Sequence, residues 1–333
     1  MIRAAIVGLG FWGRTLVNSV QGKSDRIRFT GAQTRTPAKA ESYCRDNGLT
    51  LYSDFDAILA DQAIDAVVLA TPHSEHAGQV IKAAAAGKHI YIEKPFTLEV
   101  ASTDPALAAV AKAGVVLAVG YQRRFAASVG EIRTRIREGR LGTLVHCECE
   151  ITAHAGLTTP KESWRSNPSE TPAGAMTGLG VHVIDNMIDL IGEIDEVFCL
   201  NVRRAAAHAD DTTSVLLSFK NGVTGSLFCS LATSPSYRVA VFGSKGYAEA
   251  SRPMLDMLRI APIPAGPPGT PPPQPELIEN KAVDLVRSAL EAFAGAVGGG
   301  APYPVTPAQI RHGVAVLEAV VRSAKTRQLV KVG

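Results

Sequence analysis

The side chains best suited to chemistry lie at the end of one predicted strand and on one predicted helix. Lys94 belongs to a Glu93-Lys94-Pro95 segment that directly follows the apolar strand predicted over residues 89–92. In an open parallel sheet the ligand crevice lies beyond the carboxyl ends of the strands, so Lys94 is placed where a ligand would bind. Pro95 favours an extended backbone before it, which aims the lysine side chain. A surface lysine at a strand end is the alternative interpretation.

A histidine offers proton transfer near neutral pH. His182 and Asp185 are three positions apart on a predicted helix, so they share one face. Imidazole has an unperturbed pKa near neutrality, which suits it to act as a general acid or base. A buried structural histidine is the other interpretation. The segment Tyr121 to Phe125 follows the last strand of the parallel series. Its arginines can bind a phosphate or a substrate, or they can form ion pairs at the domain junction.

A glycine-rich turn near the start of the chain is typical of dinucleotide binding. The apolar run over residues 2–7 enters Gly8-Leu9-Gly10-Phe11-Trp12-Gly13, and a helical pattern follows. Gly8 permits the tight turn, Gly10 lets the backbone approach a pyrophosphate, and Gly13 lets the helix pack on the strand. The N-terminus of that helix would present its N–H groups to the phosphates.

The residues after the second predicted strand, 27–33, indicate which dinucleotide is bound. NAD sites carry an acidic residue there for the ribose 2′-hydroxyl, but this sequence continues with Thr34 and Arg35, then Thr36 and Lys39. A hydroxyl and cations can bind a 2′-phosphate, which a carboxylate would repel. We therefore predict NADP as the cofactor. NAD remains an alternative, since Arg35 can instead stack on the adenine.

The hydrophobic pattern divides the chain into two predicted domains. Strand and helix patterns alternate through about the first 120 residues, which predicts an α/β, doubly wound Rossmann domain over residues 1–121. Strands dominate later, and Asn221-Gly222 is typical of a hairpin. Residues 122–333 are therefore predicted to form an α+β domain with an open, mainly antiparallel sheet, whose last helix can pack back on the first domain.

Composition excludes several classes of protein. The 333 residues are 46% hydrophobic and 20% charged with a net charge of +3, which is typical of a globular chain without a polyanionic partner. The densest basic run, residues 133–140, has the spacing of a solvated helix face, so no nucleic acid is expected. Five cysteines without a C-x-x-C pair predict no disulfide framework and no metal site. With no leader and no apolar span, we expect a cytoplasmic protein without a membrane partner.

Together these segments resemble the glucose–fructose oxidoreductase and inositol dehydrogenase family, written Gfo/Idh/MocA. The resemblance covers essentially the whole chain, and the combination of motifs is far more specific than any one of them. The matching segments are Gly8 to Gly13, Ala70-Thr71-Pro72 with His73 and His76, Ala83 to Gly87, Glu93-Lys94-Pro95, Tyr121 to Phe125, Trp164-Arg165, Gly180 to Asp185, and Ser323 to Val330.

The resemblance implies a two-domain enzyme, a homodimer or homotetramer through the open sheet, that uses NAD or NADP on a carbinol carbon of a sugar, cyclitol or related polyol. Lys94 would bind the reacting oxygen and His182 would exchange its proton. The implied substrate-binding residues also include Gln122, Arg123, Trp164, Arg165 and Asp185. The implied cofactor-binding residues are Gly8, Gly10, Phe11, Trp12, Gly13, Thr34, Arg35, Thr36, Lys39, Ala70, Thr71, Pro72, His73, His76, Glu93, Lys94, Arg123, Trp164 and Arg165.

One position departs from the family pattern. The family commonly has an aspartate four residues before the histidine, and this chain has Gly178. The imidazole would lose an orienting partner unless Asp185 or another group replaces it. Two other functions remain open besides net oxidoreduction. One further possibility is a redox-neutral lyase or decarboxylase that oxidises its substrate transiently, and another is a nucleotide-sensing regulatory protein without catalysis.

Overall fold

Alternating strands and helices build a parallel sheet in the first third of the chain. The computed structural model describes residues 1–333. Six strands form this sheet: β1 (Ile2–Val7), β2 (Ile27–Gln33), β3 (Thr50–Leu51), β4 (Ala66–Leu69), β5 (His89–Ile92) and β6 (Leu117–Val119). Their order is β3-β2-β1-β4-β5-β6 and every neighbouring pair is parallel. The order reverses between β1 and β4, which creates a crevice at their carboxyl ends.

The helices follow the predicted pattern, with boundaries that move by a few residues. They are α1 (Phe11–Val20), α2 (Glu41–Asp46), α3 (Phe55–Ala60), α4 (His76–Ala85), α5 (Val100–Ala113), α6 (Ala127–Arg137), α7 (Val181–Leu190), α8 (Leu285–Val297) and α9 (Pro307–Thr326). Short 3₁₀ turns precede α2 and α4, and a π-helical turn, Met176–Gly180, leads directly into α7.

A second sheet is built from the later strands. They are β7 (Leu144–Thr152), β8 (Ile194–Val202), β9 (Thr212–Phe219), β10 (Thr224–Ser230), β11 (Ser236–Gly243), β12 (Gly246–Ser251), β13 (Met257–Pro262), β14 (Glu276–Glu279) and β15 (Val330–Lys331). The order is β14-β13-β12-β11-β7-β10-β9-β8-β15, and only the β7–β10 pair is parallel. Asn221 and Gly222 form the predicted hairpin between β9 and β10, with φ of 86° at Gly222. The predicted fold class is therefore confirmed.

The chain divides into two compact units that differ in part from the predicted domains. The first unit contains Met1–Gln122 and Asp284–Val314, and the second contains Arg123–Val283 and Ala315–Gly333. The sequence analysis placed the boundary at residue 121 and allowed the last helix to pack back on the first domain; the segment that returns to the first unit contains α8 and the first part of α9. Helix α8 packs on α1, β2 and β5, and Tyr303 donates a 3.0 Å hydrogen bond to the Val119 carbonyl.

Burial follows the two kinds of sheet. All four residues of β4 are buried, as expected for a parallel strand covered on both faces, whereas β9 alternates between buried and more exposed positions. The hydroxyl of Ser19 donates to Asp284, which also caps the first turn of α8, so polar contacts fasten that helix to the first unit. None of the helices combines the length and the apolar character needed to cross a membrane.

Candidate functional site

The glycine turn after β1 has the shape that a dinucleotide requires. Gly8 has a φ of 94°, and a Cβ there would lie 2.4 Å from the Ala70 carbonyl oxygen. A Cβ on Gly13 would lie 2.0 Å from the Gly8 carbonyl oxygen, so α1 packs tightly against the turn. Gly10, at the N-terminus of α1, has no atom within 4 Å of its Cβ position. Tight packing at two glycines and open space at the third leave room for a pyrophosphate beside the helix N-terminus.

The loop after β2 carries the predicted cations on its surface. Thr34 is half-buried, and Arg35, Thr36 and Lys39 are exposed. Arg14, one residue after the glycine turn, holds this loop, because its Nη2 donates to the Lys39 carbonyl at 3.0 Å. The Arg14 guanidinium also lies 4.8 Å from the centre of the Tyr43 ring.

The turns after β4 and β5 are held together by α4. The Thr71 hydroxyl donates to Gln79 Oε1 at 2.7 Å, and His76 Nε2 lies 3.2 Å from the Thr71 carbonyl oxygen. His76 Nδ1 lies 2.9 Å from the carbonyl oxygen of Pro95 and 3.2 Å from that of Phe96. Lys94 directly precedes Pro95, and the Lys94–Pro95 peptide bond is cis.

Glu93 is buried at the end of β5, where its carboxylate packs on the backbone of the next strand. A Cβ at Gly120 would lie 2.7 Å from Glu93 Oε1 and 3.2 Å from the Tyr91 hydroxyl. Position 120 therefore needs glycine for steric reasons, which the sequence analysis did not predict. Lys94 follows on the chain and is half-buried, so the glycine turn and Lys94 share one edge of the parallel sheet.

In the second unit, a buried helix carries the predicted histidine. His182 is the second residue of α7 and is 6% exposed. Gly178 lies in the π-helical turn just before it, and a Cβ there would meet only Leu231 Cδ1, at 3.6 Å. π-Helical turns are rare and occur frequently at functional sites. Position 178 thus has space for a side chain, and the glycine is not required by crowding.

Asp185 is bound by an arginine. Arg124 Nε donates to Asp185 Oδ2 at 2.8 Å and Arg124 Nη2 donates to Asp185 Oδ1 at 2.7 Å. Asp189, one turn further along α7, is bound by Arg124 at 3.3 Å and by Arg133 Nε at 3.0 Å. This four-residue network, here called the α7 ion network, joins α7 to α6 and the turn before it. Both oxygens of Asp185 thus accept hydrogen bonds from Arg124, and its roles as a substrate ligand or as the partner of His182 stay predictions.

The remaining predicted residues have different environments. Arg123 belongs to the second unit, where Nη1 donates to the Pro253 carbonyl at 2.9 Å and the guanidinium lies 5.0 Å from the Tyr237 ring centre. Gln122 is buried, and its Oε1 has no hydrogen-bond partner within the protein. Arg165 is exposed and stacks on Trp164, with its Cζ 4.2 Å from the ring centre.

The predicted residues thus form one group in each unit. The first unit holds Gly8, Gly10, Phe11, Trp12, Gly13, Thr34, Arg35, Thr36, Lys39, Ala70, Thr71, Pro72, His73, His76, Glu93, Lys94 and Gln122, and the second holds Arg123, Trp164, Arg165, His182 and Asp185. Phe11 is 86% exposed and is accessible to a ligand. Arg14, Arg124 and Asp189 were not among the predicted site residues. The spacing of Asp185 and Asp189 on one helix face was the available signal for the α7 ion network.

Family models match most of the chain. The model described as "Oxidoreductase family, NAD-binding Rossmann fold" matches residues 2–121, and the GFO/IDH/MocA C-terminal domain matches residues 129–249. The chain belongs to the Gfo/Idh/MocA family. It is therefore an oxidoreductase that uses a nicotinamide dinucleotide, as the sequence analysis predicted.

Individual members of the family show the range of chemistry. The scyllo-inositol 2-dehydrogenase (NAD(+)) of Bacillus subtilis is 30% identical over 74% of this chain and 72% of that protein. The 2,7-anhydro-N-acetylneuraminate hydratase of Escherichia coli is 28% identical over 74% of this chain and 66% of that protein. The structure of levoglucosan dehydrogenase with NADH and levoglucosan has a TM-score of 0.86 at 22% identity and covers 99% of both chains, which shows a shared fold.

The α7 ion network makes the free energy of unfolding depend on pH. Burial raises the pKa of Asp185 to about 6, against the opposing effect of Arg124. Between roughly pH 4 and pH 6 the folded chain holds a proton that the unfolded chain has lost, so the free energy of unfolding decreases as pH rises. The slope from this one group is at most roughly 1.4 kcal/mol per pH unit.

We predict that Asp185→Asn removes this component of the slope. The measurement is the free energy of unfolding in urea at several pH values between 4 and 6, with Asp210→Asn as a control for an exposed carboxylate of the same unit. Equal slopes for the protein and Asp185→Asn would contradict the prediction.

Proposed function

We propose that this enzyme transfers a hydride between a nicotinamide dinucleotide and a carbinol or carbonyl carbon of a sugar, cyclitol or related polyhydroxy compound. The observation that carries the proposal is the position of Lys94, which follows β5 at the same sheet edge as the glycine turn. The inositol dehydrogenase and levoglucosan dehydrogenase described above act on compounds of this class. When bound, the nicotinamide ring supplies the hydride acceptor or donor.

The side chains of this enzyme provide the remaining chemistry. The Lys94 ammonium binds the substrate oxygen and stabilises the negative charge that develops on it when the carbon is oxidised. His182 takes the hydroxyl proton as general base, and returns it as general acid in the reverse direction. Glu93 fixes the start of the turn that carries Lys94, through its packing on Gly120. The α7 ion network fixes the helix that carries His182.

Replacement of the two catalytic residues is expected to affect turnover. We predict that Lys94→Ala and His182→Ala each lower kcat by on the order of 10² or more, the usual scale for general acid–base groups. The affinity for the nucleotide should change little, since neither side chain is needed for the adenine half. Activity is measured by nicotinamide absorbance after a screen of sugars, cyclitols and sugar acids identifies a substrate.

Exposed residues of the same types provide the controls. Lys112→Ala on α5 and His208→Ala in a loop remove the same groups from the protein surface and should leave kcat unchanged. A His182→Ala variant that folds normally and retains near-full activity would show that the histidine is structural.

The cofactor is proposed to be NADP rather than NAD. None of the residues from Gln33 to Ala40 is acidic, and the loop exposes the cations Arg35 and Lys39. Arg14 adds a third guanidinium or ammonium group, since its bond to the Lys39 carbonyl holds it against this loop. The scyllo-inositol 2-dehydrogenase named above uses NAD(+), and the levoglucosan dehydrogenase structure contains NADH, so the preference is a property proposed for this loop alone.

Calorimetry tests the cofactor preference directly. We predict that NADP(H) binds at least several-fold tighter than NAD(H), and that Thr34→Asp abolishes or reverses the preference by placing a carboxylate beside a phosphate dianion. Arg35→Ala should weaken NADP(H) binding and leave NAD(H) binding unchanged. Arg28→Ala is the matched control, because it removes an exposed arginine from the opposite end of β2. Tighter binding of NAD(H) by the unmodified protein would exclude the proposal.

A redox-neutral reaction is the second candidate function. The relative that is a hydratase favours it over a regulatory role without catalysis. In this case the substrate is oxidised transiently, eliminates or loses a group, and the hydride returns within the same turnover. The two functions differ in the nicotinamide balance: one equivalent of reduced or oxidised cofactor per product indicates net oxidoreduction, and product without net change indicates the redox-neutral reaction.

We also propose that two or four copies associate through the outer face of the second sheet. On this face Leu216, Leu200 and Phe228 are 63%, 42% and 38% exposed, although exposed faces of antiparallel sheets are usually polar. Leu216 pairs with Phe198 on the neighbouring strand, beside a shallow depression of about 240 Å³. A second copy placed by a two-fold axis would cover the same residues on both chains.

Substitution of the most exposed of these residues should disrupt association. We predict that Leu216→Glu converts the oligomer into monomers in sedimentation and light-scattering measurements, since each two-fold interface would bury two unpaired carboxylates. Ile81→Glu is the matched control, because Ile81 is 38% exposed on α4 of the first unit and lies outside the second sheet. A monomeric unmodified protein, or an oligomer unaffected by Leu216→Glu, would contradict the proposal.

The cytoplasm is the proposed location. All five cysteines are buried free thiols, which is compatible with a reducing compartment. Cys147 and Cys149 have Sγ atoms 3.9 Å apart on one face of β7, where they pack together.

A further inference from the structure

The His76 side chain makes polar contacts with both the turn after β4 and the turn after β5. It is the first residue of α4 and has no exposed surface. Nδ1 lies 2.9 Å and 3.2 Å from the carbonyl oxygens of Pro95 and Phe96, and Nε2 lies 3.2 Å from that of Thr71. The imidazole thus spans two main-chain segments that come from neighbouring strands of the parallel sheet.

The burial of His76 separates it from direct ligand contact. The sequence analysis placed this residue among those that bind the cofactor, but a side chain without exposed surface offers a ligand no atom to touch. The main-chain carbonyl oxygens that face its two ring nitrogens explain why a histidine is buried at this position. Carbonyl oxygens only accept hydrogen bonds, and a neutral imidazole carries a single N–H, so a neutral ring donates either from Nδ1 or from Nε2 and only the doubly protonated ring donates from both. An apolar residue of similar size would offer these carbonyls no donor.

The two turns that His76 joins are functional. Lys94 immediately precedes Pro95, so the carbonyls that face Nδ1 define the backbone from which the lysine projects. Thr71 directly follows Ala70, whose carbonyl oxygen is the atom that a Cβ on Gly8 would meet at 2.4 Å. The path from Lys94 to the glycine turn therefore runs through one imidazole and one main-chain contact.

We propose that His76 is a positioning residue that fixes Lys94 relative to the glycine turn. The inference rests on the proposed function, in which Lys94 acts on the reacting oxygen. Its physical basis is the sensitivity of catalysis to placement, since a displacement of about 1 Å can cost roughly 10² in rate. The Nδ1 contact with the Pro95 carbonyl is the part of the interaction that acts on Lys94.

Two amide substitutions separate the two ends of the ring. Asparagine places its amide nitrogen near the position of Nδ1, and glutamine places it near the position of Nε2. His76→Asn retains a donor for the Pro95 carbonyl, and His76→Gln retains a donor for the Thr71 carbonyl. We expect His76→Gln to lower kcat by about 10- to 100-fold and His76→Asn by less than about fivefold, with KM little changed in both.

A core variant controls for loss of stability. Val80→Ala lies one turn further along α4 on the same face and is fully buried, but it touches none of these carbonyls through a polar group. A purely structural role for His76 would make kcat follow the melting temperature across all three variants. The proposal requires His76→Gln to lose more kcat than Val80→Ala at comparable stability.

A measurement without cofactor tests the same point. The reactivity of the Lys94 amine toward acetic anhydride, followed by mass spectrometry over a range of pH, reports on its surroundings. His76→Gln should shift this profile, and His76→Asn and Val80→Ala should leave it unchanged. Equal profiles for all variants, equal kcat for the two amide variants, or a loss confined to cofactor affinity would each overturn the proposal.

The double variant distinguishes this proposal from the function on which it rests. If His76 acts through Lys94, His76→Gln combined with Lys94→Ala is no slower than Lys94→Ala alone. Additive losses would overturn the positioning role while leaving the catalytic role of Lys94 intact. Full activity of Lys94→Ala would instead contradict the proposed function.

Discussion

The close approach of two backbone segments at the carboxyl edge of the parallel sheet is the constraint on which the nucleotide half of the site depends. Gly8 lies against the Ala70 carbonyl, and α1 lies against Gly8 in turn, so neither Gly8 nor Gly13 has room for a side chain. These contacts bring the turns after β1 and β4 together. His76 continues the connection to the turn after β5, which carries Lys94. Backbone packing, rather than side-chain recognition, thus determines where the chemistry of this unit can occur.

In the second unit, buried ion pairs fix the position of the helix that carries the candidate histidine. Arg124 and Arg133 bind Asp185 and Asp189 on one face of α7, and the Arg124–Asp185 pair is almost completely buried. Removing one member of such a pair leaves an uncompensated buried charge, which costs about 3–5 kcal/mol. The helix that carries His182 is therefore held in one orientation. Both catalytic candidates thus project from segments whose supporting atoms are buried and hydrogen-bonded, as a preorganised site requires.

Local sequence patterns predicted the features that depend on neighbouring residues, and they missed those that depend on contacts between distant parts of the chain. The glycine spacing and the apolar strands predicted the Rossmann sheet, because both follow from short-range sterics and periodicity. The bounds of the segment that returns to the first unit, Asp284–Val314, could not be predicted, since an amphipathic helix pattern such as that of α8 does not say which partner its apolar face packs against. The partner of Asp185 was missed because Arg124 is distant in sequence. Strands β12 to β14 contain glycine, proline and charged residues, which weakened their periodicity.

Gly178 is the position at which this chain departs from the family pattern, and the departure concerns the chemistry of His182. The space beside it would accept a Cβ, so its glycine reflects no steric demand of the π-helical turn. Both oxygens of Asp185, the nearest carboxylate on the same helix, accept hydrogen bonds from Arg124. A carboxylate beside an imidazole stabilises the charged form and fixes the ring. In this chain His182 lies on a buried helix, and position 178 supplies no carboxylate to its ring. Under the proposed function, stabilisation of the developing alkoxide charge by Lys94 is therefore the contribution that does not depend on the missing carboxylate.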